Sequence, residues 1–183
     1  MDDACGDAAA LLRAALEGCS PAGRPLFAAN RDLAWPSEPH LALWHAVTLA
    51  REHRGDGHVA ALVTAGLDPC EAHITQVAMA AGSLESIKPY RGWADNDYDD
   101  AAERLRGRGW LTDDDLLTNA GQDGRRGIEN DTDRLAVEPV ERLGHDGMAQ
   151  VTGVLVPLAS RLERSGTIPY PTPMGLPLPI PVG

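Results

Sequence analysis

The chain has 183 residues, 16 basic against 27 acidic side chains and a formal net charge of −11, a size suited to one domain or to one domain with helical extensions. Its 43% apolar content suffices for a core and excludes wholesale disorder, while 4% aromatic content leaves Leu, Val and Ala to build that core. The acid excess argues against a generic nucleic-acid or anionic-membrane surface, because like charges repel.

In chain order, residues 8–17 read as a short Ala/Leu helix ended by Gly18, followed by an irregular stretch, GRPLFAANRDLAWP. Ser37 is placed to cap a helix over Glu38–His53, with Leu41, Trp44, Val47 and Thr48 as its buried stripe. The segment HRGDGH, with two glycines, predicts a turn there, and a further short helix covers Val59–Ala65. Asp68-Pro69-Cys70-Glu71 has an N-cap residue, proline at the first helical position and an acid three residues after the cap, which starts a helix running to about Ala81. Ser83 opens a short helix through Lys88, and a third helix spans about Asp95 to Arg108, burying Tyr98, Ala101, Ala102 and Leu105. Trp110-Leu111 and Leu116-Leu117-Thr118 flank the acidic turn Asp113–Asp115 and predict a β-hairpin.

Helix, helix, helix and hairpin is the order of a winged helix-turn-helix, so the expected fold class is mainly α with a small hairpin wing. The expected organisation is an N-terminal helical segment over 1–66, the winged unit over 67–122, dimerising C-terminal helices over 123–166 and a Pro-rich tail over 167–183. Breaks are expected at Pro139 and Gly144 and a kink at Pro157. The six prolines from Pro169 onward predict an extended segment, either a loose tail or an arm laid across a groove or a second subunit.

The segments GRPLFAAN, WPSEPHLALWHA, LAREHRGDGHVAAL, RGW, LTNAG, NDTDRL and PYPTPMGLP, from about Gly23 to Pro177, resemble a SalK-like family of actinobacterial helix-turn-helix proteins. Members of that family carry a further helical region in front, so the chain looks like the C-terminal half. The resemblance implies a winged fold similar to the multiple-antibiotic-resistance regulators and brings with it no established reaction.

Two sets of residues carry the functional expectations. For duplex binding the candidates are Arg104, Arg106, Arg108, Arg125 and Arg126, opposed by an exposed helix face bearing Asn96, Asp99 and Glu103 and by the carboxylates at Asp113–Asp115. Residues 111–150 hold four basic and ten acidic side chains, so the deficit lies where a DNA-reading surface is expected. For a ligand the candidates are Trp35, Trp44, His45, His53, Arg54, Asp56 and His58, which supply aromatic walls and imidazoles that titrate near neutrality. The histidines lack the i, i+3 or i, i+4 spacing of a helical metal site, and Cys5, Cys19 and Cys70 form no CxxC, so no metal or cofactor is expected and the thiols read as reduced. No G-x-S-x-G, Walker A or G-x-G-x-x-G motif is present.

The acidic N-terminus lacks the basic region of a signal peptide, and the longest apolar run, Val151–Ala159, is too short for a bilayer, which predicts a cytoplasmic protein without a membrane partner. The leading expectation is a regulator-type, ligand-responsive winged helix, a homodimer whose DNA affinity is weak or lost. A small-molecule-binding protein or enzyme of specialised metabolism using the His-rich segment is the alternative, and a protein-interaction module the third.

Overall fold

Cys5, Ala8, Leu12, Leu16 and Cys19 recur every three or four residues and are all buried, the signature of one helix face turned to a core. They belong to α1 (Asp2–Glu17) and the turn after it, so the first helix starts earlier than the Ala/Leu run indicates. The computed structural model describes residues 2–80 and 83–168. The Pro-rich segment from Pro169 and the expected helix end at Ala81 and Gly82 lie outside the described residues. Within them run α2 (Pro25–Arg31), α3 (Pro39–Thr64), α4 (Pro69–Ala80), α5 (Leu84–Ile87), a 3-10 turn at Lys88–Tyr90, α6 (Asp95–Gly107) and α7 (Asn119–Arg164).

The stretch read as irregular contains α2, which has proline at its first helical position. The segment HRGDGH is not a turn. It lies inside α3, which continues unbroken to Thr64. Two glycines weaken a helix by about 1 kcal/mol each relative to alanine, yet tertiary contacts hold this one through them. The buried face of α3 is also rotated from the expected stripe: Leu43, Ala46, Leu49, His53 and Asp56 are buried, whereas Leu41 and Trp44 are exposed. Polar residues on the inner face hide its true phase.

α4 begins as its sequence requires. The Glu71 N–H donates to the Asp68 Oδ1 at 2.9 Å, and the Asp68 N–H donates to the Glu71 Oε2 at 2.9 Å, a reciprocal capping box. Tyr98, Ala101 and Leu105 of α6 are buried against α4, with Ala102 partly so.

The expected hairpin wing is absent: the described residues contain no strand. Between α6 and α7 a single antiparallel bridge joins Leu111 and Leu117, closed by the Thr112 N–H donating to the Leu116 carbonyl at 2.8 Å. One further cross-link, the Thr118 N–H donating to the Trp110 carbonyl at 3.0 Å, lies outside the bridge, and the remaining groups of these two residues go to helix ends. Trp110 donates its N–H to the Leu105 carbonyl at 2.9 Å, and the Thr118 hydroxyl accepts the Gly121 N–H at 3.1 Å as the cap of α7. Too little backbone remains to form a ladder. Asp115 takes the left-handed conformation, φ 61°, that closes the turn.

Pro139 and Pro157 lie within α7, and the break falls at Gly144, whose φ of 64° and ψ of 178° only glycine adopts readily. The chain divides into two units, residues 1–60 with 132–167, and residues 61–131. The core of the first gathers Leu12, Leu16, Phe27, Leu43, Leu49 and Val151, and that of the second Leu67, Ile74, Tyr98, Leu105, Leu111 and Ile128.

Candidate functional site

In the second unit, α4, α5 and α6 form a three-helix arrangement in which α6 presents Asp95, Asn96, Asp99, Asp100 and Glu103 to solvent. Every basic residue expected to meet phosphate has a partner inside the chain. Arg104 pairs with Asp68 and reaches Glu71 at 3.4 Å. Arg106 pairs with Asp115 at 2.5 Å. Arg108 donates to the Gly66 carbonyl at 2.8 Å and the Ala65 carbonyl at 3.3 Å, closing the end of α3. Arg125 is buried and donates to Glu129 at 2.6 Å, and Arg126 pairs with Asp123. Lys88, on the same unit, lies 2.8 Å from Glu85 and 3.0 Å from Asp95, and hydrogen bonds to these two carboxylates push its pKa up.

An open cleft of about 820 Å³ lies along α6. Ile74, Val77 and Ala78 of α4, Leu84 of α5 and Tyr98 and Ala102 of α6 give it an apolar lining, and the exposed Asp99, Glu103 and Asp115 stand among its polar residues. Both the volume and this mixture of an apolar wall with a few polar groups fall in the range of small-molecule sites. His73, beside it on α4, lies 3.2 Å from the Tyr98 hydroxyl, and burial, with Arg91 adding, pulls its pKa down.

A family profile described as a helix-turn-helix family matches residues 1–169. The chain belongs to that helix-turn-helix family. No curated protein and no solved structure shows a significant match to it. Membership points to a regulator of DNA-binding type, and no described helix is long and apolar enough to cross a membrane.

In the first unit of this helix-turn-helix protein, the residues expected to form a ligand pocket are strung along α3 with separate partners. Trp44 is 70% exposed. Buried His45 stacks edge-on against Trp35, ring centroids 4.6 Å apart, and the Arg13 guanidinium covers the same Trp35 ring. Burial, reinforced by Arg13, lowers the His45 pKa. Arg54 reaches Asp133 at 3.8 Å on the surface, and His58 Nδ1 lies 2.9 Å from the Thr132 hydroxyl. Asp56 is buried and accepts the Phe27 N–H at 2.9 Å. Trp35 and His45 are brought together, and Asp56 and His53 meet at Phe27.

His53 is a different case. It is fully buried, edge-on to Phe27 with centroids 5.0 Å apart, and neither ring nitrogen has a hydrogen-bond partner among the described residues. Its Nε2 lies 3.8 Å from the Glu138 Oε2. Cys19, from the turn after α1, completes a group with His53 and Glu138 whose donor atoms all lie within 4.8 Å of one another. Burial, then the charge of Glu138, holds the Cys19 thiol pKa up, and the Ser20 N–H is the leading cause that pulls the Glu138 pKa down. The sequence reads Cys19 as a reduced thiol and gives Glu138 no role. No local spacing links them to His53, because three different elements deliver them.

Proposed function

We propose that this chain is a ligand-responsive helix-turn-helix protein of regulator type, in the SalK-like actinobacterial branch, with weak or lost affinity for duplex DNA. One observation carries the reading: Arg104, Arg106, Arg108, Arg125 and Arg126 all have partners within the chain, while the solvent face of α6 is acidic. Duplex affinity rests mainly on neutralising phosphates and releasing their counterions, and a cation already paired with a carboxylate contributes little to that.

The cleft beside α6 supports ligand response, since an occupant would touch α4 and α6 together and fix their spacing. Asp99 and Glu103, exposed carboxylates with no ion-pair partner among the described residues, favour an apolar molecule with a positive charge. Exposed Val137, Val140 and Leu162 on α7 support a second copy of the chain as the partner, which sedimentation of the full chain would reveal as a dimer. Fluorescence anisotropy of a labelled random-sequence duplex, titrated with the full chain at low and physiological salt, tests the central claim. Weak or undetectable binding at both salts is expected. Tight binding whose affinity falls steeply with salt would overturn it.

A further inference from the structure

From the first unit we propose a second, independent site: Cys19, His53 and Glu138 bind a divalent transition-metal ion of the zinc class, leaving one coordination position open.

The argument begins with His53. A fully buried imidazole with two unpartnered nitrogens is costly, because each ring nitrogen has lost water without gaining a hydrogen bond. Packing alone does not call for it, since an aromatic hydrocarbon would fill the space edge-on to Phe27 equally well. What the imidazole adds is a lone pair in the interior, and its Nε2 faces the Glu138 carboxylate at a distance too long for a hydrogen bond. The Cys19 sulfur completes the group, also buried, with the three donor atoms within 4.8 Å of one another. That spread needs only small side-chain adjustments to reach the separations around a tetrahedral ion.

The donor chemistry narrows the ion. A thiolate and an imidazole beside one carboxylate favour zinc, or cobalt in its place, over calcium or magnesium, which take oxygen ligands. Three protein ligands with a fourth position free is the pattern of zinc sites that hold water or a small ligand. The surroundings fit one oxygen of Glu138 to the metal. Arg142 donates to its Oε1 at 3.1 Å, while its Oε2 accepts the Ser20 N–H at 3.2 Å and faces His53. Arg142 lies against Gly18, and Arg24 donates to the His53 carbonyl. Their two positive charges oppose the ion, and the thiolate and carboxylate together offset it. Binding forms a metal–sulfur bond and releases the Cys19 proton to solvent. Glu138, with its side chain one-third exposed, marks the side from which the ion enters.

The test titrates the reduced full chain with cobalt(II) alone and follows the sulfur-to-cobalt charge-transfer band and the visible bands of a tetrahedral centre. One equivalent should bring up both, and zinc(II) should abolish them. Cys19→Ser should remove the charge-transfer band and His53→Gln should weaken cobalt binding, with circular dichroism confirming that each metal-free variant is folded. Glu138→Gln, at a partly exposed position, keeps an acceptor for Ser20 and serves if the buried variants do not fold. It should loosen cobalt by about tenfold or more while keeping the sulfur band. Absence of the band in the wild type, its persistence in Cys19→Ser, or unchanged affinity in Glu138→Gln would each overturn the assignment.

Discussion

The carboxylate of Asp56, in the middle of α3, accepts the backbone N–H of Phe27 at 2.9 Å and thereby caps α2 from a distance. The residue before that helix, Arg24, offers no side-chain cap of its own. Asp56 therefore does the work that a local Ser or Asp does elsewhere. Removing it leaves a buried N–H without an acceptor, and Asp56→Ala should cost about 1–3 kcal/mol in urea unfolding at constant m. Asp56→Asn keeps an acceptor oxygen and should cost less.

Arg24 enters the same region from the other side, donating to the His53 carbonyl and, at 2.6 Å, to the Leu135 carbonyl. It comes so close that a Cβ on Gly57 would lie 3.0 Å from its Nη1 and 3.1 Å from the Leu135 Cβ. Held by two carbonyls, Arg24 has little room to yield. At Gly55 the nearest atom would be the Glu52 Oε2 at 3.7 Å, an ordinary contact. Gly55→Ala should then raise stability by about 1 kcal/mol as in any helix interior, whereas Gly57→Ala should lose that gain. Thermal unfolding of the two variants side by side checks this, and a destabilising Gly55→Ala would argue for a turn after all.

His45 makes stability depend on pH. Burial and the nearby Arg13 hold its pKa below the usual histidine value, so the native state keeps the ring neutral. Above about pH 6.5 both folded and unfolded states are neutral there and the full stability is present. Below that value the unfolded chain takes up the proton first, and stability is lost as pH falls toward the native pKa. The loss approaches about 1.4 kcal/mol per pH unit for the single proton. His73, shifted the same way by burial and Arg91 and opposed by Asp68, adds to it. Urea midpoints measured from pH 7.5 to 5 should fall, and His45→Phe should flatten the fall.

The acidic face of α6 predicts a gain-of-binding experiment. Asp99, Asp100 and Glu103 are exposed, and replacing all three with their amides removes three negative charges without touching the capping box at Asp68 and Glu71. Low-salt duplex affinity should rise, with a steeper dependence on salt than in the wild type. Anisotropy titrations at two salt concentrations measure both. An unchanged affinity would mean that shape, rather than charge, keeps duplex away.

Much of the second unit was legible along the chain because its signals are local. Proline after a capping Asp with Glu three residues later specifies the start of α4, and the spacing of Tyr98, Ala101 and Leu105 specifies the inner face of α6. The hairpin was misread for a reason of the same scale. Apolar pairs flanking three aspartates satisfy the strand pattern, but pairing stops at the Thr112–Leu116 and Thr118–Trp110 hydrogen bonds because the end of α6 and the cap of α7 begin there. HRGDGH was misread for the opposite reason, since two glycines mark a turn locally and Phe27, Arg24 and Thr132 bind that segment as helix from far away in the chain.

By itself, then, the sequence determined the charge, the placement of α4 and α6 and the acidic surface above them, because periodicity, capping and net charge act over a few residues. Only the tertiary structure decided that the arginines are engaged within the chain. It also decided that α3 runs through its glycines, and that Cys19, His53 and Glu138 meet. Each of these depends on which distant groups a side chain finds once its own element is packed, and no spacing along the chain encodes that choice.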